Sequence, residues 1–177
     1  MKCAFKSALI FTVLLTLVGC ASSNVVKVAS PVMFSKPVSM DVIYVIIASS
    51  TNSLETERHE LSDAVISGLN ESKMFGTVTG DKVAVGSGSG IRINADIKEI
   101  KRVSDDAREW AGALAGHANI LIQVTVSDLK SENKIEVFEV AGQSGASAFA
   151  GTTDEAIQRA AHQIVSELLK LNAQTSL

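Results

Sequence analysis

The middle of the chain alternates between apolar runs and polar breaks. Val42-Ile43-Tyr44-Val45-Ile46-Ile47 is an unbroken, mostly β-branched run, which predicts a short strand covered on both faces. Polar Ser49-Ser50-Thr51-Asn52-Ser53 follows. Leu54, Leu61, Val65 and Leu69 then recur at helical spacing. Ser53 is the expected N-cap of that helix, with Glu55 and Glu57 against its positive end. The helix is expected to stop near Glu71 to Lys73, after which Phe75-Gly76-Thr77-Val78 leads into a short strand.

Farther on, Ile91, Ile93, Ala95 and Ile97 alternate with Arg92, Asn94, Asp96 and Lys98. That pattern predicts a strand with one face in the core and one face polar. Ile120, Ile122, Val124 and Val126 repeat it, and polar Lys130 to Asn133 predicts a turn into a partner strand over Ile135 to Ala141. Thr152-Thr153-Asp154-Glu155 fits a capping box with Thr152 as N-cap and Glu155 at the third helical position. Ile157, Ala160, Ala161, Ile164, Val165, Leu168 and Leu171 form one apolar stripe behind it. The predicted order is β-α-β-β-β-β-α. This is a two-layer α+β domain over residues 41–171, with two helices on one face of a mainly antiparallel sheet and a frayed tail over 172–177. No internal repeat is visible.

The N-terminus follows a different logic. Lys2 and Lys6 precede the apolar run Ala8 to Val18. A basic start and a 7–15-residue apolar core describe a secretory signal, and the run is short of the ~20 residues a bilayer span needs. It ends in Leu17-Val18-Gly19-Cys20, then Ala21-Ser22-Ser23. That box resembles the bacterial lipobox. The resemblance implies diacylglycerol on the Cys20 thiol, cleavage between Gly19 and Cys20, and acylation of the new amino terminus. The alternative is an ordinary signal peptide with a coincidental cysteine. Several acyl chains on one residue make a lasting anchor, where a single chain holds only marginally. In Gram-negative lipoproteins an Asp after the lipidated Cys tends to mean inner-membrane retention. Ala21 therefore favours the outer membrane, facing the periplasm. Residues 20–40 contain both prolines, Pro31 and Pro37, and keep neither period. They are expected to be a tether with a root-mean-square span of roughly 25 Å, although Val25 to Val28 could pair as an edge strand.

Composition narrows the function. The chain has 177 residues, 46% hydrophobic and 20% charged, too apolar for a disordered protein. Removing Lys2 and Lys6 with the leader leaves fourteen basic against nineteen acidic side chains, a charge of −5. Nothing there grips nucleic acid. Cys3 lies in the leader and Cys20 takes lipid, so the mature chain keeps no free thiol and no disulfide. Its stability must come from an apolar core.

Candidate chemistry is thin. Gly86-Ser87-Gly88-Ser89-Gly90 leads into a strand rather than a helix and lacks the Lys-Ser/Thr of a phosphate loop. It is expected to be an inter-strand loop. His59, His117 and His162 are scattered and match no zinc spacing. No serine sits in a GxSxG elbow; Ser144-Gly145 reads as a loop at a strand end, and Asp105, Asp106 and Asp128 as solvated carboxylates. The segment Asp105 to Ala118 holds the only Trp, Trp110, among small residues. Trp110, Arg108 and His117 are the candidate interaction residues, against the simpler reading of Trp110 plugging one end of the core.

Gly116-His117-Ala118-Asn119, Val126-Ser127-Asp128, Val140-Ala141-Gly142-Gln143-Ser144 and Gly151-Thr152-Thr153-Asp154-Glu155-Ala156-Ile157 together are similar to a pattern in a family of small bacterial lipoproteins catalogued as a domain of unknown function. The likeness covers about residues 40–171 and departs at Ser131-Glu132-Asn133-Lys134, which lacks the common Gly. It implies a periplasm-facing α/β domain on a lipid anchor and supplies no catalytic residue. The layout also resembles envelope-assembly lipoproteins of the curli-secretion channel type, at the level of fold alone. The expected function is a non-enzymatic protein-interaction or envelope-assembly module, with no cofactor and no metal. It would be held to the membrane by its acyl chains and partnered by an envelope protein of unknown identity. The alternatives are a carrier or sensor of a small apolar ligand such as a lipid, and a hydrolase built on an unrecognised Asp/His set.

Overall fold

The structure, a computed structural model, describes residues 23–27, 42–49, 53–81, 90–103, 116–145 and 151–175. Six strands and two helices occur among them: β1 (Ser23–Lys27), β2 (Val42–Ser49), α1 (Glu55–Ser72), β3 (Thr77–Thr79), β4 (Gly90–Lys101), β5 (Asn119–Asp128), β6 (Lys134–Gln143) and α2 (Thr153–Thr175). From β2 onward the order is the expected β-α-β-β-β-β-α. β1 precedes it and pairs antiparallel with β6, Val25 opposite Val140. The edge-strand alternative for this stretch is thus the one adopted, and it lies inside the expected tether.

The strands form one sheet in the order β1-β6-β5-β4-β2-β3. The sheet is mixed. β1–β6, β6–β5 and β5–β4 are antiparallel, whereas β4–β2 and β2–β3 are parallel. β3 runs parallel to β2 because α1 returns the chain from the end of β2 to the start of β3, the crossover that a parallel neighbour requires.

Both helices pack on one face. Ile43, Val45 and Ile47 of β2, Ile91, Ile93 and Ile97 of β4, Ile120, Ile122 and Val124 of β5, and Phe138 and Val140 of β6 are buried beneath them. Leu61, Val65 and Leu69 of α1 and Ile157, Ile164 and Leu168 of α2 close the core from the helix side. Each such side chain, fully buried, contributes about 1.5–3 kcal/mol. β2 corrects one expectation. Its burial alternates, so Val42, Tyr44 and Ile46 are half-buried on the face away from the helices. A run that reads as covered on both faces is covered on one, because both helices choose the same side.

Local chemistry sets the ends. Ser53 does not cap α1; Leu54 holds the N-cap position without a side-chain hydrogen bond. Lys73 ends α1 in the left-handed region at φ 55°, its N–H donating to the Asn70 carbonyl at 3.2 Å. Thr152 caps α2 as expected, its Oγ1 accepting from the Glu155 N–H at 3.0 Å. α2 runs on to Thr175, into the stretch expected to fray. At Asp128 the carboxylate accepts from the N–H groups of Lys130 (3.1 Å) and Ser131 (2.6 Å) and folds the β5–β6 turn. α2 approaches β6 so closely at Gly142 that a Cβ there would lie 2.1 Å from the Ala156 carbonyl oxygen. Among the described residues no helix is long and apolar enough to cross a membrane.

Candidate functional site

One end of the sheet gathers most of the polar structure. β4 ends there, β5 begins, β6 ends and β1 begins: Asn119 sits opposite both Lys101 and Gln143, and Ser23 opposite Gly142. α2 starts beside it. We call this the upper end. A shift in pairing between Ile97 and Glu99 marks a bulge in β4 just below it, which twists the strand locally.

Ser144, fully buried, ties the β5 entry to the β6 exit. Its Oγ accepts from the Ala118 N–H at 2.9 Å, and its own N–H donates to the Ala118 carbonyl at 3.0 Å. His117 Nδ1 lies 2.9 Å from the Ser144 carbonyl oxygen. That contact uses the serine backbone, so the pair is a clasp and not a nucleophile with its base. Of the expected interaction residues, His117 therefore joins a structural tie. Trp110 and Arg108 lie outside the described residues.

Glu155 is the second tie. Its Oε2 accepts from the N–H groups of Gly145 (3.2 Å) and Gly151 (2.9 Å), and its Oε1 from Arg159 Nη2 (2.8 Å) and Nε (3.2 Å). One carboxylate thus pins both ends of the connection from β6 to α2. The Arg159 guanidinium, then the Gly151 and Gly145 N–H groups, hold this carboxyl below its ordinary pKa. The capping box located Glu155 in the sequence. It could not reveal the two glycines, which depend on the path of the loop.

Acidic residues crowd the start of both helices. Burial, then the charges of Asp154 and Glu57, raise the pKa of Glu60. Glu57 is buried and takes a two-pronged hydrogen bond from Arg102 Nε and Nη2 on Oε1, joining the end of β4 to α1. Nothing in the spacing of residues 57 and 102 signals this pair.

Among the described residues, three open hollows stand out. One, of about 190 Å³, lies at the upper end on the sheet face away from the helices, among Glu99, Lys101, Asn119, Leu121, Ala141 and Gln143. A second, of about 220 Å³, sits where β3 stops beside β2, between Val45, Ile47, Arg58, His59, Ser62 and Gly80. The third, of about 450 Å³, is the groove between α1 and α2, lined by Ala64, Gly68, Ala161, His162, Val165 and Leu169.

His59 is exposed, with Nε2 3.5 Å from Glu55 Oε1. Among the described residues no group of three His, Cys, Asp or Glu side chains is placed to hold a metal. Asp128 serves the turn, and its hydrogen bonds from Ser131 lower its pKa. Gly19, Cys20, Gly86 to Ser89, Asp105 and Asp106 lie outside the described residues.

No family model matches the chain, and no curated protein does. Solved structures share its fold. PelC, a dodecamer from Paraburkholderia phytofirmans, superposes with a TM-score of 0.56 at 11% identity, over 83% of this chain and 97% of its own. A DUF330 protein from Xanthomonas campestris superposes with a TM-score of 0.51 at 12% identity, over 85% of this chain and 93% of its own. At such identities the likeness is one of fold.

Proposed function

We propose that this chain is a bacterial lipoprotein, anchored through Cys20 in the outer membrane and facing the periplasm, whose domain acts by binding other envelope proteins and not by catalysis. The observation that supports this most is the box Leu17-Val18-Gly19-Cys20 behind a basic start and an apolar run of lipoprotein length. The fold agrees with a binding role. The polar ties at the upper end are used internally: Ser144 by Ala118, His117 by the Ser144 carbonyl, Glu155 by two glycines and Arg159. PelC, which shares the fold, is a dodecamer, an instance of this architecture working through protein contacts.

The pairing of β1 changes the expected geometry of the anchor. β1 begins at Ser23, three positions after Cys20. Three residues reach at most about 10 Å, well short of the standoff of a free tether. An anchor on Cys20 then holds the upper end of the sheet, with its open hollow at Lys101, Asn119 and Gln143, against the membrane surface.

The test is in-cell crosslinking of membranes from a strain carrying the wild-type chain, beside the Cys20→Ala variant. The reading expects the wild type in the outer-membrane fraction with a reproducible set of crosslinked envelope proteins, and loss of both in the variant. A wild-type chain that fractionates as soluble, or crosslinks to nothing, contradicts it.

A further inference from the structure

The bulge in β4 decides what the upper end of the sheet presents on the face away from the helices. Ile97 is buried opposite Ile122. Strict alternation would send Glu99 and Lys101 to the same side, beneath the helices. The bulge between Ile97 and Glu99 reverses the phase. Ile100 packs against the core instead, and Glu99 and Lys101 line the first hollow. An acid and a base, both exposed, thus stand two residues apart, roughly 7 Å along the strand.

Register fixes their order. Lys101 shares the row nearer the upper end with Asn119 and Gln143, and Glu99 shares the row below it on that face with Leu121 and Ala141. Among the described residues no hydrogen bond or ion pair engages the side chain of Glu99, Lys101 or Asn119, whereas the neighbouring Lys98 is held by Asp96. The hollow is also the one beside the anchor. Ser23, the first residue of β1, pairs with Gly142 of the hollow wall, between the two rows. Cys20 is three residues farther out, at most about 10 Å.

We propose, resting on the lipid anchor of the function proposed above, that this hollow takes the headgroup of an ethanolamine phospholipid from the membrane that holds Cys20. In such a lipid the phosphate is bonded to the glycerol and the ammonium is the free end. Counted outward from the membrane, the charges run negative and then positive. The hollow, counted the same way, runs Lys101 and then Glu99. Lys101 and the Asn119 amide supply donors to the phosphate, and the Glu99 carboxylate accepts from the ammonium, whose N–H groups make charge-assisted hydrogen bonds. Leu121 and Ala141 lie against the two methylenes between them. The headgroup layer is roughly 5–7 Å thick on each side of a bilayer, which matches the depth of the two rows. A purely anionic headgroup would leave Glu99 facing negative charge.

The test couples a lipid amine to Glu99. The full-length lipidated chain is reconstituted in vesicles of ethanolamine and glycerol phospholipids and treated with a carbodiimide, which joins a carboxylate and an amine in contact as an amide with loss of water. One lipid adduct is expected on wild type, mapped by mass to the peptide carrying Glu99, with exposed Glu132 at the opposite end of the sheet unlabelled. Glu99→Gln should abolish it. Lys101→Gln leaves the carboxylate in place and should lower it at least fivefold. Both side chains are exposed, so neither change threatens the fold. Equal labelling of Glu99 in wild type and Lys101→Gln, or labelling spread evenly over exposed carboxylates, overturns the proposal. Equal labelling by soluble glycerophosphoethanolamine at the same bulk concentration overturns the membrane as the source. Intact mass of the same samples reads the acyl chains on Cys20. An acylated chain with no Glu99 adduct keeps its anchor and overturns the headgroup site; an unacylated chain overturns both.

Discussion

Glu155 offers the sharpest test of how the upper end is held. Replacing it by Ala removes an acceptor shared by Gly145, Gly151 and Arg159. The arginine contact is an i,i+4 pair with side chains 40% and 26% exposed, and such a pair contributes only about 0.3–0.5 kcal/mol. The two backbone N–H groups matter more. A hydrogen bond to an ionised group contributes about 1.5–3 kcal/mol, and partial access of water to the freed donors reduces each to roughly 1 kcal/mol. The total is about 2–3 kcal/mol, a fall in Tm of roughly 5–10 °C for a domain of this size. The effect also has a pH signature. Because the folded carboxyl titrates below its ordinary range, its contribution is complete above the unfolded pKa of about 4.3. It is lost as pH falls through the lower folded value. Urea unfolding followed by circular dichroism at pH 7, 5 and 3 should show the same gap between wild type and variant at the first two and a closing gap at the third. A gap under about 0.5 kcal/mol at pH 7, or one unchanged at pH 3, would refute the reasoning.

Gly142→Ala puts a Cβ 2.1 Å from the Ala156 carbonyl oxygen; α2 must back away from β6, and the expected loss is roughly 3 kcal/mol or more, read as soluble yield and Tm. Asp128→Ala removes the acceptor of the Lys130 and Ser131 N–H groups and should cost about 1 kcal/mol. Since hydrogen bonds from Ser131 lower the Asp128 pKa, that cost should also fade on acidification through the folded pKa. Glu60→Gln should act in the opposite direction: its carboxyl is raised by burial and by Asp154 and Glu57, so the charged form is disfavoured when folded. Neutralising it should raise stability at pH 7 and change nothing at pH 3, in the same unfolding assay.

The elements that repeat a simple period were legible in the chain. Ile91 to Ile97 and Ile120 to Val126 alternate because helices cover one face of their strands, and the α2 stripe is continuous because one side of that helix is buried. Thr152 was legible as a cap because its partner is three residues away. Contacts between distant residues were not. The parallel pairing of β2 with both β3 and β4 leaves no mark in a run of Val and Ile. Val25 and its neighbours carry no helix or strand period of their own, and their pairing is decided by the free edge of β6. Ser53 looked like a cap by type, but the helix begins one residue beyond its reach, with Leu54 in the N-cap position. At the upper end, His117 could be flagged as chemically able, but only the fold shows that it faces the Ser144 carbonyl. Glu57 and Arg102 meet only because α1 packs on β2, which lies beside β4 in the sheet.

The central claim is that Cys20 carries the lipid and that the membrane is this domain's place of work. Intact mass of the protein extracted from separated inner and outer membranes, wild type beside Cys20→Ala, tests it most directly. The account predicts a wild-type mass equal to residues 20–177 plus acyl chains, found in the outer membrane and lost in the variant. An unmodified wild-type mass in the soluble fraction would contradict it.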